Sequence, residues 1–101
     1  MTLDVESKHF KIITNILKEL VPSAKVFAFG SRAKKNKAKP YSDLDIALDC
    51  NGKSIDLSTL ARLGSAFEQT TIPYTIDIVD LNGISEEFKN NIKNDLLELN
   101  F

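Results

Sequence analysis

Asp43 and Asp45 stand one residue apart, and the pair Gly30-Ser31 lies upstream of them. On a strand, residues two apart point to the same face, roughly 6.8 Å from each other along it. Carboxylates that close repel one another and lower strand propensity. Either a solvated sheet face tolerates them or a divalent cation neutralises them. Magnesium takes one or two carboxylates together with phosphate oxygens and water. Gly30 lets a backbone approach a ligand closely or turn sharply. Ser31 adds a hydroxyl, and if the following residues open a helix their amides make a phosphate site. By itself, Gly-Ser after a strand reads as an ordinary turn. Arg32 is one residue further on and is placed to reach a phosphate. Asp77, between Ile76 and Ile78, has two readings: a solvated face, or a third carboxylate facing the same cavity as Asp43 and Asp45. Asp80 shares the parity of Ile76 and Ile78, and Asp80-Leu81-Asn82-Gly83 reads as a strand end, so Asp80 is assigned to a turn. Jointly these residues suit metal-assisted phosphoryl transfer. Two cations held ~3.5–4 Å apart by shared carboxylates clamp the attacking and leaving oxygens of an in-line displacement. The protein then contributes position and charge stabilisation.

The elements that carry these residues follow from hydrophobic spacing. Phe10, Ile13, Leu17 and Leu20 recur at three and four, which predicts a helix from about Asp4, as N-cap, to Leu20. Val26-Phe27-Ala28-Phe29 is apolar on both faces, as in a strand covered on two sides. A short helix is expected from Arg32, followed by a loop from Lys34 to Pro40. Ser42 to Asp49 alternates with period two: Leu44, Ile46 and Leu48 share one face; Asp43, Asp45, Ala47 and Asp49 share the other. Asn51-Gly52-Lys53 is a turn. A second helix from Asp56 to about Thr70 buries Leu60, Leu63 and Phe67. A third strand runs from Tyr74 to Val79. Ser85 caps a last helix whose apolar row is Phe88, Ile92, Leu96 and Leu99. Interleaved helices and strands predict an α/β or α+β sheet with helices packed on it.

The totals bound the rest. The chain has 101 residues, three prolines and no linker, so one domain spanning residues 1–101 is expected. Its formal net charge of -1 gives no basic field, and no direct nucleic-acid binding is inferred. Cys50 is the single cysteine, so neither an internal disulfide nor a zinc-type spacing is available, and a reducing cytosol is the expected compartment. The N-terminus lacks the pattern of a signal peptide, and no apolar stretch is long enough to span a bilayer. Lys34, Lys35, Lys37 and Lys39 read as a solvated loop, ahead of a clamp on triphosphate. His9 and Tyr74 read as packing residues; Tyr41 either touches a nucleotide or packs beside the loop.

The run from Phe29 through Gly30-Ser31-Arg32-Ala33 to Tyr41-Ser42-Asp43-Leu44-Asp45 resembles the signature of the DNA polymerase beta-type nucleotidyltransferases. It is similar in particular to the minimal nucleotidyltransferases, often the antitoxin half of HEPN/MNT toxin–antitoxin pairs. The resemblance covers nearly the whole chain. It implies a small mixed β-sheet flanked by helices. It implies that Asp43, Asp45 and Asp77 are the catalytic and Mg²⁺-binding acids, with two ions, and that Gly30 and Ser31 hold the phosphates of ATP. The eleven residues between Ser31 and Asp43 are one more than such proteins usually have; the extra residue falls in the lysine-rich loop, where insertions are tolerated.

The resemblance further implies transfer of AMP from ATP to a hydroxyl, a tyrosine of a HEPN-type toxin partner. Two other functions compete. One is an antitoxin that neutralises its partner by binding alone; clustering unpaired carboxylates brings such a module no benefit. The other is a small-molecule nucleotidyltransferase, which needs an acceptor pocket for which this chain has no second domain.

Overall fold

The computed structural model describes residues 3–33 and 42–101. Within them the order is helix α1 (Ser7–Leu20), strand β1 (Lys25–Phe29), a 3₁₀ turn (Ser31–Ala33), strand β2 (Leu44–Asp49), helix α2 (Leu57–Glu68), strand β3 (Ile76–Asp80), helix α3 (Glu86–Ile92), a second 3₁₀ turn (Lys93–Asp95) and strand β4 (Leu97–Leu99). The four strands form a mixed sheet in the order β3-β2-β1-β4. β1 pairs antiparallel with β2 and β4, whereas β2 and β3 are parallel, joined by a crossover through α2. The expected mixed sheet with flanking helices is therefore observed.

Register sorts the side chains into two faces. Val26 lies opposite Leu48 and Leu99, and Ala28 opposite Ile46, which in turn faces Ile78. This is the core face, where Leu44, Ile46 and Leu48 are fully buried together with Ile13 and Leu17 of α1 and Leu63 of α2. The second face carries Phe29, Asp45 and Asp77 in one cross-strand row.

Three expectations about element ends change. The first helix begins at Ser7, and its N-cap is Glu6, which makes no side-chain cap bond. Asp4 does not cap it, because its backbone is bonded to Arg32: its N–H donates to the Arg32 carbonyl at 2.7 Å and its carbonyl accepts from Arg32 Nη1 at 3.0 Å. The last helix ends at Ile92; Leu96, expected in its apolar row, follows the second 3₁₀ turn, and Leu99 belongs to β4. Leu97-Glu98-Leu99 also fits period two, and pairing with β1 puts Leu99 into the core while covering an edge that would otherwise be open. The short helix expected after Ser31 is, among the described residues, a three-residue 3₁₀ turn.

The second and last helices are capped by side chains, the last as expected: Asp56 accepts from Thr59 N–H and Ser85 from Phe88 N–H. Asp56→Ala should remove that cap and lower the Tm by a few degrees, read by thermal denaturation. An unchanged Tm would mean that the cap is redundant.

Candidate functional site

The site lies where β1 ends and the parallel strands β2 and β3 begin. Asp43 is exposed just before β2, Asp45 is the second residue of β2, and Asp77 is the second residue of β3. Asp45 and Asp77 are direct partners in the parallel register, so both carboxylates project from the same face. Leu44 N–H donates to the Thr75 carbonyl at 2.9 Å, which locks the two strands together at their starts. The structure thus brings all three acids together and separates Asp80 from them. Asp80 ends β3 and accepts from Ile55 N–H at 2.8 Å and Asn82 N–H at 3.1 Å, the turn role expected of it.

Gly30 follows β1 with φ of +76°, a left-handed conformation that glycine adopts without strain. A Cβ at this position would collide with Asp45 Oδ2. Gly30 is therefore needed twice, for the turn and for the space that the Asp45 carboxylate fills. Ser31 opens the 3₁₀ turn, and Ala33 N–H already donates to the Gly30 carbonyl at 3.2 Å. The helix N-terminus anticipated here is absent among the described residues. What remains for a phosphate is close backbone approach at Gly30 and the Ser31 hydroxyl.

The electrostatics distinguish these acids from their neighbours. Burial, then the charge of Asp77, then that of Asp43 raise the pKa of Asp45. Burial raises Asp77, as do the charge of Asp43 and a hydrogen bond between their carboxyls. Asp49, on the same strand and face as Asp45, moves the other way: Asn82 Nδ2 donates to it at 2.9 Å and Gly52 N–H at 3.0 Å, and its pKa is lowered. Asp49 is satisfied by the protein. Among the described residues, the charges that act on Asp45 and Asp77 are those of other carboxylates.

That donor set fits a divalent cation. All three side chains offer hard oxygens, and among the described residues no lysine or arginine forms an ion pair with them. Nor do three His, Cys, Asp or Glu side chains among the described residues converge as a ready-made cage. Magnesium does not require one, since it keeps waters and shares its shell with substrate phosphates. Beside the acids a cleft of about 570 Å³ opens between the end of α2 and the start of β3, lined by Phe67, Ile72, Tyr74, Thr75 and Asp77 among others.

The raised pKa values carry a sign. Below the ordinary value of 3.8, Asp77 is protonated in both the folded and unfolded chain and has no effect on stability. As pH rises through its raised folded pKa, the unfolded chain ionises more readily and stability is lost. Asp77→Asn should therefore raise the Tm of metal-free protein at neutral pH, and raise it less at about pH 4. Melting curves in chelator at the two pH values check this. An equal gain at both, or a loss at neutral pH, would contradict the charge cluster.

Other sequence candidates take structural places. Arg32, grouped with the phosphate ligands on sequence grounds, is buried, and its side chain donates to the carbonyls of Ser42 and Asp4. His9 is buried and meets Tyr74 edge to face. Burial, with Asp80 and Asp49 nearby, raises the Cys50 thiol pKa, leaving little reactive thiolate. Lys34, Lys35, Lys37, Lys39, Pro40 and Tyr41 lie outside the described residues. No helix among the described residues is long and apolar enough to cross a membrane.

Comparison with known proteins fits this geometry. The chain is 41% identical over 91 residues to "Probable protein adenylyltransferase MntA" of Haemophilus influenzae, a match spanning 90% of this chain and 78% of that protein. Two solved structures share its fold at about one-fifth identity. A toxin–antitoxin complex with AMP-PNP superposes with a TM-score of 0.70 at 20% identity, over 87% of this chain and 69% of that one. A toxin–antitoxin complex of MntA and HepT gives 0.60 at 19% identity, over 92% and 70%. The family model described as polymerase beta, nucleotidyltransferase matches residues 11–98, a span holding Gly30, Ser31 and all three acids, and the chain belongs to that family.

Proposed function

We propose that this protein is an antitoxin that uses ATP and Mg²⁺ to transfer AMP to a tyrosine hydroxyl of a HEPN-type toxin. The observation that carries the reading is the Asp45–Asp77 register pair with Asp43 beside it, three acids that the protein itself leaves without a neutralising partner among the described residues. The 41% identity to an adenylyltransferase supports the choice of AMP. The toxin–antitoxin complexes among its structural neighbours, one holding AMP-PNP, support the choice of partner. The cytosol, which supplies ATP and keeps the Cys50 thiol reduced, is the compartment this reading requires.

In this mechanism Asp43 and Asp45 would hold Mg²⁺, two ions in the proposed scheme, and Asp77 would complete one site. When bound, the metal supplies charge stabilisation to the phosphates and lowers the pKa of the attacking hydroxyl. Gly30 and Ser31 receive the phosphates. The acceptor hydroxyl reaches Asp77 from the adjacent cleft, and the Asp77 carboxylate accepts its proton. The hydroxyl oxygen bonds to the α-phosphorus of ATP, the bond to the bridging oxygen breaks, and pyrophosphate leaves. Because Asp45 and Asp77 bind protons more tightly than usual, metal binding has to displace them, and half-saturation shifts to higher Mg²⁺ as pH falls.

The test is incubation of the full chain with α-labelled ATP, Mg²⁺ and the protein encoded beside it. Transfer of label to a tyrosine of that partner is the expected result. Complex formation without label, at saturating Mg²⁺ and ATP, would leave neutralisation by binding as the function.

A further inference from the structure

Arg32 is a buried charge for which the mechanism above has no use. It is 6% exposed. Its Nε donates to the Ser42 carbonyl at 2.7 Å and its Nη1 to the Asp4 carbonyl at 3.0 Å. Its guanidinium carbon lies 3.8 Å from the centroid of the Tyr74 ring. One planar group therefore touches three segments that are remote in sequence.

Each segment borders the site. Arg32 itself sits in the turn that follows Gly30-Ser31. The Ser42 carbonyl belongs to the peptide that leads into Asp43. Tyr74 precedes Thr75, whose carbonyl accepts from Leu44 N–H, and Asp77 follows two residues later. The N-terminal segment is held from both sides, because Asp4 N–H donates to the Arg32 carbonyl at 2.7 Å. Tyr74 is braced in turn by His9, edge to face at 5.8 Å between centroids.

The chemistry explains why this residue is an arginine. A buried cation is costly unless its donors are satisfied. A guanidinium is more weakly hydrated than an ammonium, directs donors along fixed in-plane vectors and stacks on an aromatic face. Backbone carbonyls and a tyrosine ring meet those needs. A phosphate ligand would instead present its fork to the open face beside Asp45.

We infer that Arg32 is a positioning residue: by bonding the Ser42 and Asp4 carbonyls and stacking on Tyr74, it sets the Gly30-Ser31 turn, Asp43 and the start of β3 relative to one another. Its consequence for catalysis rests on the nucleotidyl-transfer reading above.

The experiment compares Arg32→Lys, Arg32→Ala and Tyr74→Leu with the parent chain, using ATP, Mg²⁺ and the acceptor partner. Lysine keeps the charge but cannot reproduce the two carbonyl bonds together with the stack. Arg32→Lys should lower kcat about tenfold or more while KM for ATP stays within about twofold. Half-saturating Mg²⁺ should rise about fivefold or more, since Asp43 is no longer held in place. Added methylguanidinium should restore part of the kcat of Arg32→Ala. Hydrogen exchange is the readout that does not need activity: residues 3–6 and 42–44 should exchange faster, with β1 unchanged. If Arg32→Ala does not fold, Arg32→Lys and Tyr74→Leu carry the same comparison. A rise in KM for ATP of about tenfold or more with kcat and Mg²⁺ dependence unchanged would make Arg32 a phosphate ligand and overturn the inference. Unaltered exchange in residues 3–6 and 42–44 would overturn it as well. A parent chain that transfers no nucleotide would refute the proposed function, while the exchange pattern would still decide the role of Arg32.

Discussion

Asp43→Asn and Asp45→Asn should each cut nucleotidyl transfer by about 10³-fold or more, because metal-assisted charge stabilisation supplies several kcal/mol of the barrier reduction. Asparagine keeps the size of the side chain and one oxygen, but loses the charge that binds a hard cation. The fold should survive. Asp45 is already disfavoured as a carboxylate by burial and by Asp77 and Asp43, so neutralising it removes repulsion. The metal-free Asp45→Asn protein should melt no lower than the parent at neutral pH. Label transferred from ATP to the partner reads the activity, and thermal denaturation the fold. Labelling within about threefold of the parent by either variant would remove these acids from the metal site.

Gly30→Ala has the second largest expected effect, and it acts on both the fold and the chemistry. At φ of +76° an alanine is strained, a cost of about 1–3 kcal/mol. The added methyl also occupies the space of Asp45 Oδ2, so either the carboxylate or the turn has to move. A displacement of about 1 Å in a catalytic group costs about 100-fold in rate. Activity should therefore fall further than the loss of stability accounts for, and saturating Mg²⁺ should not restore it. Denaturant unfolding gives the first quantity and kcat the second. Full activity in a folded Gly30→Ala protein would show that Asp45 does not act from the position described.

Strand periodicity made the acids legible in the sequence. Period-two alternation placed Asp43 and Asp45 on one face and set Asp77 apart from Asp80, and the parallel register pairs Asp45 with Asp77 and Leu48 with Asp80. The helix cap at Ser85 was equally clear, because it is a local bond over three residues. What sequence periodicity missed is non-local. The tail from Leu96 to Leu99 satisfies helix and strand spacing alike, and only the open edge of β1 decides between them. Arg32 follows the Gly-Ser pair in sequence and was assigned by proximity to the phosphate. Its partners Asp4, Ser42 and Tyr74 become neighbours only once the chain has folded, and no spacing rule joins them. The short helix anticipated after Ser31 starts as a 3₁₀ turn over Ser31–Ala33, and its continuation at Lys34-Lys35 lies outside the described residues.

The parallel pairing of β2 with β3 has a bearing on when the enzyme can act. β1 and β2 meet without needing α2, so the Gly-Ser turn, Asp43 and Asp45 come together in the first half of the chain. Asp77 joins them only after α2 has crossed over and β3 has docked as an edge strand, a pairing between distant parts of the chain. A slip of one residue in that docking would turn Asp77 towards the core and leave its place to an isoleucine. A nascent, nicked or misdocked chain thus holds two of the acids without the third. β3 therefore acts as the safety catch: under the function proposed above, AMP transfer begins only once Asp77 is in its register.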